Sequence, residues 1–398
     1  MARKRINIIG GGPAGLMAAH TLAPYFEIHL YEKEKTLGRK FLVAGKGGFN
    51  LTNSVSGDEF YDKYAPANML KSCLQSFDTQ ALRNWLLLLD IPTYIGSSGR
   101  VFPEKGIKPI QVLKAIISSL KEQGVQIHTQ HRFEGFHELQ PVINEQVVKA
   151  DYTIFSLGGA SWPQTGSNGL WTKHFEDIGI NLLPFQASNC GVNIEWPEIL
   201  QKHAGKALKN MSATVGGKTL SGEALLTNYG LEGNVIYPLI PGIREQLNVH
   251  KKALITFDLK TNNTLESLVQ KTKNNTLKPK EYVYTFNLNE QQVALIKAFT
   301  AKEVYTQANT FVHHLKKLTI PVHSLRPLAE AISTVGGIPF EELNTDFSLK
   351  KHPHIYTIGE MLNWDAPTGG YLLQGCFSTA YYASRSIVKK EDFKALAD

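Results

Sequence analysis

Short apolar runs and longer helical-period runs alternate along the first third of the chain. Arg5 to Ile9 (RINII) is a short run that stops at Gly10, and Ala14 to Leu22 is small and apolar at helical spacing. Glu27 to Tyr31 (EIHLY) reads as a second strand, so the opening segment predicts a βαβ unit. Thr79 to Leu89 predicts a helix that stops where Asp90-Ile91-Pro92 forbids continuation. Pro109 to Gln123 predicts another helix, followed by a short strand over Val125 to His128. Val147 to Leu157 (VVKADYTIFSL) reads as a strand pair ending at Gly158-Gly159.

From about Asn189 the texture changes. Short alternating segments at Ala213 to Val215, Val235 to Leu239 and Ala253 to Leu259 predict a small, largely β region. Thr264 to Phe311 is rich in Lys, Asn and Gln with leucines at helical spacing, and reads as a helical insert. After Arg326-Pro327 the glycine-bounded pattern returns, with Ala331 to Gly337 and then His354 to Gly359 (HIYTIG) as a strand. The economical organisation is an α/β, Rossmann-like nucleotide-binding domain split in sequence (1–188 and 327–398) around an inserted unit (189–326).

The turn after the first strand carries the first chemical signal. Gly10, Gly12 and Gly15 satisfy G-x-G-x-x-G between a strand and a helix, with Glu32 at the end of the next strand. That arrangement gives a tight turn, close backbone approach to a pyrophosphate, and an acid for a ribose diol. A second glycine-rich stretch follows, GRKFLVAGKGGFNLTNS over 38–54, in which basic residues adjoin backbone that can approach a ligand closely. It is not a Walker loop: Gly47 follows Lys46 where Ser or Thr is needed, and Lys40 stands where the first glycine is needed. A third cluster, Gly369-Gly370-Tyr371, opens an apolar helix near the C-terminus, where bare backbone could abut a flat, electron-accepting ring.

Composition narrows the classes. The 398 residues are 42% hydrophobic and 19% charged, as in globular proteins, and no stretch is long and apolar enough for a transmembrane helix. The start is not read as a signal peptide, because three glycines interrupt its apolar part. Cys73, Cys190 and Cys376 are far apart with no C-x-x-C, which argues against a disulfide framework or a cysteine zinc site and for a cytoplasmic protein. No metal site is expected, and His313, His314 and His323 read as surface or packing residues. The net charge of +7 falls between Asn189 and Arg326, with 17 Lys/Arg against 10 Asp/Glu, and is read first as a solvated surface.

Blocks spread over nearly the whole chain carry a resemblance: Gly10–Gly15, Gly38–Asn53, Gly99–Pro103, Leu157–Gly169, Gly222–Gly233, Ala331–Gly337 and Gly359–Gln374. In that order they resemble the BaiN/YhiN-type NAD(P)/FAD-dependent flavoproteins, with Leu362 to Leu373 closest to a shorter branch. The resemblance implies a Rossmann-like FAD-binding domain of two-dinucleotide-binding type, interrupted by a β-barrel-like domain whose helical insert covers about 264–311. It also implies a residue set for FAD. Gly10, Gly12 and Gly15 would hold the pyrophosphate with Pro13 and Ala14 at the helix start. Glu32 would hold the adenosine ribose beside Lys33, and Arg39 and Lys40 would flank the phosphates. Gly47, Gly48 and Asn50 would pass close to the flavin, with Gly158 and Gly159 nearby. Gly359, Glu360, Asp365, Gly369, Gly370 and Tyr371 would close over the ribityl chain and ring edge.

Related sequences often carry Thr-His where this chain has Thr227-Asn228, and an acid where Asn363 stands. No catalytic acid or base is therefore assigned, although Arg100, Tyr229 and Tyr371 are candidates for orienting a substrate. No second complete glycine fingerprint follows Gly158-Gly159, so NAD(P)H is expected only as a transient electron donor. The function expected is an FAD-dependent oxidoreductase acting on a small molecule. The alternative is an RNA- or polyanion-binding flavoprotein related to flavin-dependent tRNA-modifying enzymes, which the absence of interleaved aromatic and basic residues disfavours.

Overall fold

The structure is a computed structural model that describes residues 3–43, 48–272 and 274–391. The chain divides into two compact units, residues 1–186 with 333–398, and residues 187–332. Each has its own apolar core.

Five parallel strands form the central sheet of the first unit, in the order Ile355–Thr357, Tyr152–Phe155, Arg5–Ile9, Glu27–Glu32, Gln126–Thr129. Arg5–Ile9 holds the centre because every residue after Arg5 is buried, as both faces of a helix-covered parallel sheet require. Ile8 stands between Leu30 and Ile154 in register. Asn7, the one polar residue in that buried run, donates its amide to the Val148 carbonyl at 3.0 Å.

The helix Pro13–Leu22 is buried over most of its length. It packs closely against the C-terminal helix Tyr371–Lys390. Within that long helix Gly375 touches the Trp364 indole, where an added Cβ would stand 2.7 Å from a ring carbon. The same indole donates its N–H to the Gly359 carbonyl at 2.7 Å. Helix packing and the backbone at the end of the strand Ile355–Thr357 are thus coupled through one side chain.

In the second unit seven strands form an antiparallel sheet, ordered Leu318–Val322, Ala253–Asp258, Ala207–Val215, Lys218–Leu226, Gly230–Glu232, Val192–Asn193, Ser324–Leu325. The first and last strands of that order are separated in the chain only by His323, so the sheet nearly closes into a barrel. The hairpin Ala207–Leu226 turns at Gly216 and Gly217, both at positive φ (56° and 82°), as a two-residue turn of this hand demands.

Val235 to Leu239 is not the strand its alternation predicts. Tyr237–Leu239 is a turn of 3-10 helix and Ile240–His250 an α-helix. Pro238 and Pro241 explain the change: each lies in a first helical turn, where a missing N–H costs nothing, whereas in a strand each would break the ladder. The segment after Thr264 is helical in pieces, Leu265–Gln270, Tyr282–Thr285, Glu290–Phe299, Lys302–Thr306 and Ala308–Lys316. Thr264 and Asn289 cap two of them through side-chain oxygens. Among the described residues no helix is long and apolar enough to cross a membrane.

Gly375→Ala tests the coupling through Trp364. Alanine favours a helix over glycine by about 1 kcal/mol, but the buried indole must move to admit the methyl group. We expect a net loss of about 1–3 kcal/mol in urea unfolding of the full chain; unchanged or raised stability would show that Trp364 yields freely.

Candidate cofactor site

The carboxyl ends of the sheet strands open onto a cleft of about 420 Å³ in the first unit. Hydrogen bonds to the neighbouring strands hold the turn from Ile9 to Pro13 there. Gly10 N–H donates to Tyr31 O (2.8 Å), Ser156 N–H to Ile9 O (2.8 Å), and Ser156 Oγ to Gly10 O (2.7 Å). A Cβ at Gly10 would lie 2.5 Å from Ser156 O, and one at Gly15 2.0 Å from Gly10 O. Both glycines are therefore demanded by the protein itself. Gly12 is not: a Cβ there would meet nothing within 4 Å. It points into the cleft at the start of the helix Pro13–Leu22, which has no side-chain cap and no acid in its first turn. Open backbone and a positively polarised helix end fit the pyrophosphate of a dinucleotide.

Glu32 stands at the next strand end with both oxygens engaged. Oε2 accepts from Gly11 N–H at 2.8 Å and Oε1 from Glu34 N–H at 2.9 Å. Burial pushes its carboxyl pKa up, while these two N–H groups act the other way. Beside it lies an aromatic group that no sequence pattern indicated: Tyr31 stacks on His128 at 4.6 Å, His131 lies 5.4 Å from His128, and Tyr31 and His131 line the cleft.

The cations of the cleft are largely paired. Lys40 donates to Ser161 Oγ (2.7 Å) and to Glu360 Oε2 (2.9 Å), and Arg39 is bonded to Glu34. Neither residue is the free cation that a simple charge-offset role implies; a bound phosphate would have to share each with a carboxylate. Lys33 and Arg132 also line the cleft, and burial lowers the pKa of Lys33. Only the position of Arg132 was unsignalled by sequence.

The sequence-derived residues separate into two groups. Gly10, Gly12, Pro13, Ala14, Glu32, Lys33, Arg39, Lys40, Gly158, Gly359 and Glu360 line the cleft, with Gly15 packed behind the turn. Gly159 lies off the lining, its missing side chain replaced by Thr334, whose Oγ1 would be 2.1 Å from a Cβ. Gly359 packs against Ala14 and Cys376, and burial raises the Cys376 thiol pKa, so it is not a thiolate.

Gly48, Asn50, Asp365, Gly369, Gly370 and Tyr371 belong to a second group outside that lining. With its amide oriented to satisfy both neighbours, Asn50 donates to Gly48 O (3.0 Å) and accepts from Gly370 N–H (2.5 Å). Asp365 pairs through its backbone with Ala65, and Tyr371 O accepts from Tyr64 Oη at 2.8 Å. A Cβ at Gly370 would stand 2.4 Å from the Thr52 carbonyl, so neighbouring backbone alone is enough to require that glycine. Gly47 lies outside the described residues.

Ser156, Ser161, Ser167 and Trp171 are the working residues that sequence reading passed over. Ser167 Oγ donates to Gly159 O (2.8 Å) and the Trp171 indole to Gly158 O (2.9 Å), so both hold the glycine pair in place. Ser161 and Ser167 sat inside the recognised block Leu157–Gly169, which was the available signal. Of the candidates for substrate contact, Arg100 lies on the strand Arg100–Pro103. Tyr229 in the second unit is occupied: its hydroxyl donates to Glu232 and Arg326 lies 4.0 Å above its ring.

Comparison with known proteins agrees with this geometry. The HI0933-like protein Rossmann domain model matches residues 4–386. A 3-dehydro-bile acid delta(4,6)-reductase of Clostridium scindens is 23% identical over 97% of this chain and 99% of its own. Ribosomal RNA dihydrouridine synthases of Haemophilus influenzae and Escherichia coli are 22% and 23% identical, over 96% and 98% of this chain and 98% and 99% of theirs. With the match running through both units and the cleft at its start, the chain belongs to the HI0933-like family, flavin-dependent oxidoreductases built on a Rossmann-type FAD-binding domain.

Proposed function

We propose that this protein is an FAD-dependent reductase that delivers a hydride to a carbon–carbon double bond conjugated with a carbonyl. One observation carries the reading: full-length relatives with very different named substrates share that chemical step. A 3-oxo Δ4,6 steroid and a uracil ring each present an alkene joined to a C=O. In each, hydride adds to the carbon remote from the carbonyl and a proton to the adjacent one. The acceptor is therefore a small conjugated carbonyl unit, whether free or carried in a larger molecule.

FAD supplies the hydride chemistry when bound. The chain's part is binding and orientation. The uncapped helix at Gly12 and Pro13 would receive the pyrophosphate, Glu32 the adenosine ribose, and Lys33, Arg39, Lys40, Gly158, Gly359 and Glu360 would frame the rest. Gly47, Gly48, Asn50, Asp365, Gly369, Gly370 and Tyr371 are assigned to the flavin end from sequence. NAD(P)H is the proposed donor, visiting the flavin rather than occupying a fold of its own. Three free, buried cysteines fit work in the reducing cytoplasm.

Paired glycine variants test the cofactor assignment. Gly12→Ala is expected to change the stability of the cofactor-free protein by about 1 kcal/mol or less while lowering FAD affinity at least about tenfold. Gly15→Ala, whose methyl meets Gly10 O, is expected to destabilise the cofactor-free protein itself. Unaltered FAD affinity in Gly12→Ala, read by fluorescence titration, would remove FAD from this cleft.

The reaction is tested on the FAD-loaded protein under nitrogen. NADPH or NADH should bleach the flavin absorbance, and cyclohexenone or uridine should then restore it. If only air restores the colour, or only an amine bleaches it, the protein is an oxidase and the reductase reading falls.

A further inference from the structure

We infer that Arg100 and the Tyr371 hydroxyl together form a site for a negatively charged oxygen, the one that a conjugated carbonyl acquires as it is reduced. Arg100 opens the short strand Arg100–Pro103, where its backbone is paired with Asn53. Its side chain and the ring of Tyr371 flank the same stretch of bare backbone. Arg100 Nε lies 3.6 Å from where a Cβ on Gly369 would stand, and the Tyr371 ring lies 3.7 Å from that point. The two are also close enough for the guanidinium charge to act on the phenol.

Both groups are uncommitted donors. Among the described residues the half-buried Arg100 guanidinium has no hydrogen-bond or ion-pair partner. Other arginines of the first unit are engaged: Arg5 with Glu27, Arg39 with Glu34, and Arg83 with Thr93. Tyr371 is 6% exposed, yet its hydroxyl has no partner among the described residues either. Its ring is fixed against Phe60 (5.5 Å) and Tyr64 (6.1 Å), and Tyr64 Oη donates to its carbonyl at 2.8 Å. Burial raises the Tyr371 pKa, with Arg100 acting the other way, so the hydroxyl keeps its proton. Glu59, the carboxylate whose charge reaches Tyr371, is exposed and lies 3.5 Å from Lys63.

A charged donor and a neutral one, side by side and without an acceptor, match an anionic oxygen. A metal cation would be repelled by the guanidinium, and an apolar ligand would leave both donors unpaired. This site deepens the proposed function, and rests on it for the reaction but not for the binding. Hydride from the reduced cofactor, itself replenished by NAD(P)H, forms a C–H bond at the carbon remote from the carbonyl. The π electrons move to the oxygen, giving an enolate, and a proton from water then adds to the adjacent carbon and restores the C=O. Arg100 and Tyr371 would hold the oxygen while it carries the charge. They stand beside Gly369 and Gly370, which are assigned to the flavin end.

The test uses the full-length, flavin-loaded protein and 4-hydroxybenzaldehyde, whose phenolate carries an enolate-like oxygen, in calorimetric titrations above and below its own pKa. The phenolate should bind more tightly than the phenol. Arg100→Met should weaken the phenolate about tenfold or more, Arg100→Lys should recover part of the loss, and Tyr371→Phe should weaken it severalfold. The neutral 4-methoxybenzaldehyde should not distinguish the variants. Reoxidation of the reduced flavin by cyclohexenone should slow about a hundredfold in Arg100→Met. Should Arg100→Met fail to fold, Tyr371→Phe keeps the buried ring and reads the same site. Equal phenolate affinity in all variants would overturn the inference. A shifted flavin potential in Arg100→Met with phenolate binding unchanged would put the guanidinium on the flavin itself, and would overturn it too. Phenolate binding that depends on Arg100, with no conjugated carbonyl reoxidising the flavin, would sink the reductase reading alone; reoxidation by cyclohexenone at equal rates in every variant would sink this inference alone.

Discussion

The first unit depends on how closely the backbone after its central strand can approach the strand beside it. Gly10 sits against Ser156 O and Gly15 against Gly10 O, with no room for a methyl group at either place. Because those gaps close, the chain turns within a few residues and the helix Pro13–Leu22 starts directly above the sheet edge. Its unpaired N–H groups then face the cleft rather than the core. Ser156 matters as much as the glycines, since its hydroxyl and backbone tie the turn to the strand Tyr152–Phe155. Packing geometry thus accounts for two of the three glycines, and only the third, Gly12, has no neighbouring atom that requires it to be bare.

Charge in the cleft follows a related economy. A cleft holding several unpaired cations would suit phosphate but repel itself when empty. Here Lys40 is shared between Ser161 and Glu360, and Arg39 is paired with Glu34. Partly exposed pairs of this kind stabilise little on their own. Their consequence is that the cleft is nearly balanced in charge, with the uncapped helix end at Gly12 and Pro13 left as its unpaired positive pole. Lys40 joins residues far apart in sequence, which ties Glu360 of the C-terminal segment to the glycine-rich stretch that follows Gly38.

Much of the first unit was legible because local and tertiary demands coincide there. The run RINII is buried on both faces, the glycines fall where the backbone turns, and Glu32 ends its strand at the cleft. Elsewhere one residue type served two causes. Gly370 looked bare for a ring, and Thr52 backbone alone is enough to require it to be bare. Val235 to Leu239 alternates like a strand, but Pro238 and Pro241 start helices. Arg39 and Lys40 looked like free cations because their carboxylate partners, Glu34 and Glu360, are recognisable only once the chain is folded. Tyr282 and Tyr284 are two residues apart in one tyrosine-rich stretch, yet one is core and the other open to solvent; burial decides between them, and periodicity over so short a helix cannot.

The two units divide the physical problem. Dinucleotide recognition needs rigid backbone geometry, which a parallel sheet and a buried small-residue helix provide. Recognition of an acceptor needs side chains that can differ without disturbing that geometry. In the near-closed barrel the seven strands satisfy one another's backbone groups, so the helical pieces that follow Thr264 need supply no strand to it. Each unit buries its own apolar core, and the close approaches at Gly10 and Gly15 are met entirely within the first unit.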